Sequence, residues 1–288
     1  RLRGLTPRQR RLCRRQPELV APLLEGVRLG TADCQHRFRH GRWNCHALGQ
    51  HLDFGHVQVK GTPEAAVMYA LQSGAATHAV YAACRSGRLV GCECRPLPRD
   101  TRSADVWKWA GCRAGLLFSG RRARRFLNAR ETEHDARSLM NRHNNRVGVK
   151  AVTRGSRRRC RCYGPSGTCS LRTCWLDAPT AFRSQLVELA PSGRALQLVG
   201  SSAAPDRSQL VHLVPSPSYC EPDAESGYNG TAGRQCRKQR ALPGNCEYLC
   251  CGRGYNTRIT HRRYCCNFHT SAAEPTTCQQ RTTVRTCQ

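Results

Sequence analysis

The window Cys160-Arg-Cys162-Tyr-Gly-Pro-Ser-Gly-Thr-Cys169-Ser-Leu-Arg-Thr-Cys174-Trp175 gathers the residue types that can do chemistry in this chain. Nested pairing, Cys160 with Cys174 and Cys162 with Cys169, would weld two short strands into a hairpin with Tyr163 to Thr168 as its loop. The spacing alone leaves other pairings open. Pro165 fixes one backbone angle, and Gly164 and Gly167 supply the positive angles a tight turn needs. Ser166 then projects at the tip. A hydroxyl on a stiff, doubly bridged tip suits recognition and modification by another enzyme, whereas composition alone favours an ordinary polar turn serine. As a nucleophile Ser166 is poorly served. Gly164-Pro-Ser-Gly-Thr168 lacks the final glycine of a nucleophile elbow, and no parallel-sheet pattern is visible to hold a base beside it. Zinc or nucleic-acid modules fare little better. Cys92-Glu-Cys94 and Cys160-Arg-Cys162 leave one residue between thiols where structural zinc usually has about two to four, and no paired histidines follow in a finger arrangement.

What holds such a loop is a matter of composition. Twenty cysteines in 288 residues are hard to reconcile with a reducing cytosol and point to a disulfide framework in an exported protein. At 39% hydrophobic the chain is long enough for one large domain or two smaller ones. The richest apolar stretch, 65–90, is interrupted by Gln72, Ser73, His78 and Arg85 and is no membrane span. Arg1 opens a basic, mixed sequence with no apolar signal core, so any secretion signal is expected to lie outside these residues. The net charge of +28 comes from 47 basic against 19 acidic residues, and Lys60, Lys108, Lys150 and Lys238 are the only lysines. Outside a cell, a field of planar guanidinium forks favours anionic polysaccharide and acidic receptor surfaces. In a nucleus it would favour nucleic acid.

Cysteine distribution divides the chain. Eleven lie between Cys13 and Cys174, none lies in 175–219, and nine fall between Cys220 and Cys287. The gap holds Pro179, Pro191, Pro205, Pro215 and Pro217 amid Ser, Ala and Gly, and reads as a connector. Before it, Thr62, Pro63 and Glu64 start a helix expected to run to about Cys84, with Gly87 as its stop. Its many alanines let another helix approach closely. A second, highly polar helix is expected over 122–151, with Phe126, Leu127, Leu139, Met140 and Val147 as scarce apolar contacts, so it must lie at a surface or be held by neighbours. Leu12, Leu19, Leu23 and Val27 show weaker helical spacing, broken by Pro17 and Pro22. After the gap, bridges must replace a core.

The hairpin window resembles the acylation hairpin of the Wnt family, Cys-His-Gly-X-Ser-Gly-Ser-Cys followed by Lys-Thr-Cys-Trp. Cys34-Gln-His-Arg-Phe-Arg-His-Gly-Arg-Trp-Asn-Cys45, Asp135-Ala-Arg-Ser-Leu-Met-Asn-Arg-His-Asn-Asn145 and Cys250-Cys-Gly-Arg-Gly-Tyr-Asn-Thr257 are similar to three further Wnt signatures. The four run in family order over nearly the whole chain. The expected fold is therefore α+β and disulfide-rich. A helical N-terminal domain (1–175) includes the bridged β-hairpin at about 160–174, a connector spans 176–218, and a small cystine-rich β C-terminal domain of short strands follows (219–288).

The resemblance implies a secreted ligand with no enzymatic activity. Ser166 would bear a monounsaturated fatty acyl group, attached by a membrane-bound O-acyltransferase and shielded by a lipid-binding carrier during export. Apart from that covalent group no cofactor or metal is implied, and no nucleic acid. The acyl chain would enter a groove on the cysteine-rich domain of a Frizzled receptor. At about 0.8 kcal/mol per methylene, a mid-length chain offers on the order of 10 kcal/mol before ordering costs. An LDL-receptor-related co-receptor completes the implied complex. Heparan sulfate proteoglycans would meet the arginine runs at 8–15, 121–125 and 157–159. By family pattern Cys34 pairs with Cys45, Cys84 with Cys92, Cys94 with Cys112, Cys220 with Cys251, Cys236 with Cys246 and Cys250 with Cys287, besides the two hairpin bridges. Cys13, Cys265, Cys266 and Cys278 are left without assigned partners.

The family's second receptor contact is a C-terminal finger tipped by Phe-His-Trp-Cys-Cys. Here Phe268 and His269 are followed by Thr270, Ser271 and Ala272. Tyr163 and Thr168 replace the hairpin's histidine and second serine. The expectation is that acylation survives and finger-tip binding weakens; the alternative is a secreted antagonist or selective ligand with an impaired finger. Asn229-Gly-Thr231 is the one glycosylation triplet with a permissible middle residue.

Overall fold

The computed structural model describes residues 4–45, 60–92, 106–155, 157–162, 172–177, 184–189, 195–201, 203–223, 228–266 and 276–288. Packing divides the chain into two units, 1–36 with 48–216 and 37–47 with 217–288.

In the first unit, α1 (Pro7–Arg15) starts at a reciprocal cap: Thr6 accepts from the Gln9 amide N–H, and the Gln9 side chain accepts from Thr6 N. Two orphan donors are satisfied at once. The same two residues dock the helix, because Thr6 Oγ1 donates to Ala129 O (2.8 Å) and the buried Gln9 amide to Phe126 O (3.3 Å). Pro17 separates α1 from α2 (Val20–Phe38), leaving one 3-10 turn between them. Pro22, expected to break the pattern too, sits in the first turn of α2, where its missing N–H removes nothing.

The central element is α3 (Pro63–Arg85). Thr62 caps it by accepting from Ala65 N, and fifteen of its 23 residues are buried. It stops where the sequence predicted, at Gly87 (φ +73°), with the paired bonds Gly87 N to Cys84 O and Arg88 N to Ala83 O. Its small side chains bring neighbours into backbone contact. A Cβ on Gly30 of α2 would lie 2.7 Å from Gln72 Cα, and one on Gly148 would collide with Ala70 O and Ser73 Oγ.

The helix expected over 122–151 is two helices, α4 (Val106–Asn128) and α5 (Ala136–Gly155). Tight turns from Arg130 N to Leu127 O and Glu131 N to Asn128 O end α4, and Asp135 accepts from Ser138 N (2.8 Å) to begin α5. Polarity does not keep α5 at the surface. Asn141, Asn144 and Asn145 are all buried, because their amides serve other backbones and side chains. Asn144 brackets Val211, accepting from its N and donating to its O, both at 2.9 Å.

Val211 belongs to a sheet in what was expected to be the connector: β3 (Ser184–Leu189) pairs antiparallel with β4 (Leu196–Leu198) and parallel with β5 (Leu210–His212). Leu210 and Val211 are fully buried among Ala66, Ala70, Met140 and Val147. Beyond β5, Leu213 N donates to Gly61 O and Ser216 Oγ to Glu64 Oε1. The 176–218 boundary is therefore corrected: the first unit runs to 216, since two three-residue strands between prolines are too short to show a period.

The second unit recruits 37–47 from the N-terminal half, a further correction to the 1–175 domain. Trp43 packs edge-on to Phe38 and lies 6.5 Å from Tyr219, which in turn packs on Tyr228. Arg234 and the Tyr228 hydroxyl both donate to Arg42 O, and the Arg42 guanidinium lies over the Tyr248 ring. Around this come β6 (Pro222–Asp223), β7 (Tyr228–Asn229), β8 (Gln235–Cys236), α6 (Cys246–Leu249), β9 (Tyr255–Cys266) and β10 (Thr276–Cys287). The last two strands, twelve residues each, are long rather than short.

Gly148→Ala is expected to destabilise the first unit by about 1–3 kcal/mol, through overpacking against a backbone that cannot yield; thermal unfolding of the purified variant checks it. A pH dependence follows from the α5–β5 seam. Burial, reinforced by Arg146, lowers the His143 pKa, and burial lowers that of His212. The unfolded chain takes up these protons first as pH falls through about 6.5, so stability present above that value is lost below it. Glu131, raised by burial, acts with the opposite sign from the ordinary carboxylate value upward. Subtracting the profile of His143→Gln from the native one should isolate the imidazole contribution, with the native protein losing more between pH 7 and pH 5.5.

Candidate functional site

Two hairpins carry the residues singled out by their chemistry. The first begins almost directly off α5, which ends at Gly155: β1 (Arg157–Cys162) pairs antiparallel with β2 (Arg172–Asp177). The register sets Cys160 opposite Cys174 and Cys162 opposite Arg172. Facing positions in an antiparallel pair stand about 4.5–5.5 Å apart, within the span of a disulfide. Arg157, Arg158, Arg159, Arg161 and Arg172 occupy five of the twelve strand positions. Tyr163, Ser166, Thr168 and Cys169 lie outside the described residues, so the structure fixes the strands that carry the tip.

The second hairpin is β9 with β10, in register from Tyr255 opposite Cys287 to Cys266 opposite Thr276. β8 pairs with the other edge of β10, giving the order β8-β10-β9. Phe268 and His269 fall between the strands, outside the described residues. The base of this hairpin is fixed covalently. Cys236–Cys246 and Cys250–Cys287 lie side by side with Leu249 as a buried cluster, and Cys220–Cys251 adds a third bridge. Cys236, Cys246 and Cys250 come within 4.8 Å of one another, a spacing that would suit a metal. All three are already oxidised, so none offers the thiolate that zinc requires.

The remaining cysteines divide as follows. Cys84 is bridged to Cys92 across the turn at Gly87. Cys34 and Cys45 are both disulfide-bonded, and so is Cys278, which the family pattern left unassigned. Cys13 is the free thiol among the described residues, its pKa raised by burial. Cys94 lies outside the described residues, and for Cys112 only the helix backbone is described.

Around Asn229 the structure separates two halves of the glycosylation triplet. Asn229 is exposed on β7, whereas Thr231 is fully buried. Its hydroxyl donates to Cys220 O and accepts from Arg253 Nη2, and Gly230 between them needs its positive φ of +73° to pass Cys220 O. Arg253, which also pairs with Glu221 and donates to Gln288 O, went unnoticed in the sequence. So did Trp43. Both lie inside quoted signatures, but the role of each is to act on a segment distant in the chain.

Comparison with known proteins bears on what these hairpins are. The wnt family model matches residues 1–288. Protein Wnt-2 of Drosophila melanogaster is 39% identical over 305 residues, covering 92% of this chain and 86% of that protein. Among solved structures, a chain in the human WLS complex with WNT8A superposes with a TM-score of 0.60 at 27% identity, covering 93% of each chain. The Drosophila WntD N-terminal domain-linker gives a TM-score of 0.41 at 17% identity, over 70% of this chain and 98% of that one. Among the described residues no helix is long and apolar enough to cross a membrane. A family match over the full length, with helices followed by a disulfide-rich β region, makes this chain a member of the Wnt family of signalling ligands.

Proposed function

We propose that this chain is a secreted, acylated ligand that binds a Frizzled cysteine-rich domain through the tip of the β1–β2 hairpin and brings an LDL-receptor-related co-receptor to it. It signals by proximity, without turnover. The observation that carries this reading is the register of β1 and β2. With Cys160 opposite Cys174 and pairing continuing to Cys162 and Arg172, the chain between the strands is the 163–171 segment, with Ser166 near its middle. A serine in the segment that joins two paired strands issuing from a packed helix suits modification and recognition by other proteins. That is where an acyl chain can reach a groove on another protein. Its burial is non-directional and grows with chain length, so one small contact can dominate the interface.

The acyl group is a monounsaturated fatty chain in ester linkage to Ser166, added by a membrane-bound O-acyltransferase. A carrier must then shield it through the secretory pathway. The WNT8A relative was solved in complex with WLS, and a carrier of that kind fits the same need here. Phe268 and His269, at the far end of β9–β10, supply a second receptor contact. Its tip lacks the family's tryptophan and adjacent cysteines, with Thr270, Ser271 and Ala272 in their place. This favours a weakened or receptor-selective ligand over an antagonist, since the β1 and β2 strands that lead to Ser166 are paired along their length. Asn229 carries a glycan, attached before Arg253 closes over Thr231, and heparan sulfate holds the protein near the cell surface.

Ser166→Ala should remove the acyl mass from the secreted protein and weaken binding to Frizzled cysteine-rich domains by more than about 100-fold, since hydrophobic burial is lost without a substitute. Intact-mass analysis and binding titration check the two halves, and a native protein with no adduct at Ser166 would overturn the reading. Alkylating the denatured, unreduced protein should label Cys13 and few other thiols. Extensive labelling, with zinc released on denaturation, would favour a metal protein instead.

A further inference from the structure

The corner between α4 and α5 encloses a cavity of about 730 Å³ lined by Phe118, Arg121, Arg122, Arg124, Arg125, Asn128, Ala129 and Arg142. Five guanidinium groups thus share one concavity with no acidic side chain in its wall. The nearby acids are engaged elsewhere. Glu133 and Asp135 pair with Arg137, while Glu131 is buried, accepts from Asn141 and partly offsets the charge of Arg142 alone among the five. None of the five lining arginines has an ion-pair partner among the described residues.

Arg142 marks the floor. Its Nη2 donates to Glu131 O (2.9 Å), while its Nε is buried without any partner. Like charges held in one concavity repel, and an entering anion relieves that repulsion. Arg121, Arg122, Arg124 and Arg125 lie within about 1.1 turns of α4, and Arg122 lies 4.9 Å over the Phe118 ring. They offer forked donors suited to tetrahedral oxyanions in a row. Single-stranded nucleic acid is disfavoured, because the one aromatic face in the wall is covered by Arg122 and no stacking platform remains.

Resting on the reading of this chain as an extracellular ligand held by heparan sulfate, we infer that this α4–α5 cradle is where the sulfated polysaccharide docks. One sulfate meets Arg142 where it lines the cavity, and its neighbours along the polymer spread over Arg121 to Arg125. The site lies on the helical unit, so retention at the cell surface and the two hairpins use different parts of the chain.

The test measures binding of the full-length secreted protein to heparin across a salt series. Arg121→Gln, Arg125→Gln and Arg142→Gln together should weaken binding by on the order of tenfold or more and lower the slope of log affinity against log salt by about two to three. Arg258→Gln, Arg262→Gln and Arg263→Gln on β9 remove the same charge from an exposed strand and should cost less than about threefold. If Arg142→Gln does not fold, the Arg121→Gln, Arg125→Gln pair, both exposed, keeps the comparison. Desulfated heparin should not bind. Equal losses in the two triple variants would overturn the cradle and leave diffuse electrostatics, and tighter binding to a single-stranded oligonucleotide would overturn the ligand class. No binding of native protein to heparin would overturn the polysaccharide reading itself.

Discussion

The contact between the backbones of α3 and α5 governs the first unit. Gly148 meets Ala70 O and Ser73 Oγ with no side chain between them, so α5 has one position along α3 and one rotation about its own axis. That rotation turns the asparagines of α5 inward to bond Val211 and Asn128, and it sets the direction in which the chain leaves at Gly155. β1 begins at Arg157, too soon for a flexible linker to intervene. The hairpin that carries Ser166 thus inherits its aim from a glycine eighteen positions earlier in the chain. A ligand that relies on one apolar appendage needs that stiffness, because every rotation left to the loop must be lost on binding.

Unit 2 solves the same problem by covalent means. Its buried cluster is four cysteines and Leu249, too little apolar surface to hold two twelve-residue strands whose described side chains are largely exposed. Cross-links lower the entropy of the unfolded chain instead. Cys250–Cys287 ties the short helix α6 to the end of β10, and Cys236–Cys246 ties β8 to the start of that helix. Three elements with almost no core are thereby fixed at one end of the ribbon. The aromatic stack from Phe38 through Trp43 and Tyr219 to Tyr228 supplies packing that the C-terminal segment lacks.

Local chemistry was legible and non-local economy was not. Thr62-Pro63-Glu64 and Gly87 delimit α3 to within a residue, since a cap and a positive-φ stop are properties of adjacent residues. The family pattern led to the Cys84, Cys220, Cys236 and Cys250 bridges. The α4–α5 corner was missed because Arg, Asn and His continue the helical composition through it, and only Asp135 signals a restart. Polar content left α5 either at a surface or held by neighbours, and the second holds: a buried asparagine is favourable only when a particular distant backbone, here Val211, stands opposite. The prolines of 176–218 concealed β4 and β5, whose three residues each are too few for alternation to register. Segment 37–47 reads as part of the N-terminal half until Tyr228 and Arg234 are seen to need the Arg42 carbonyl.

The two attractive forces available to this chain differ in range and in what can switch them off. Arginine fields act over roughly a Debye length, about 8 Å at physiological salt, and are traded readily among anions. Acyl burial acts only on contact, is insensitive to salt, and is lost in full if the chain is not seated. With charge gathered on the helical corner at Arg121 to Arg125 and Arg142, long-range attraction can hold the protein near a polyanionic surface without occupying the tip. Release from that surface need break only screened, individually weak contacts. On the proposed reading, the arginines of that corner leave the acyl tip free for the receptor. In that proposal the charged corner concentrates the ligand, and the hairpin carries the receptor contact.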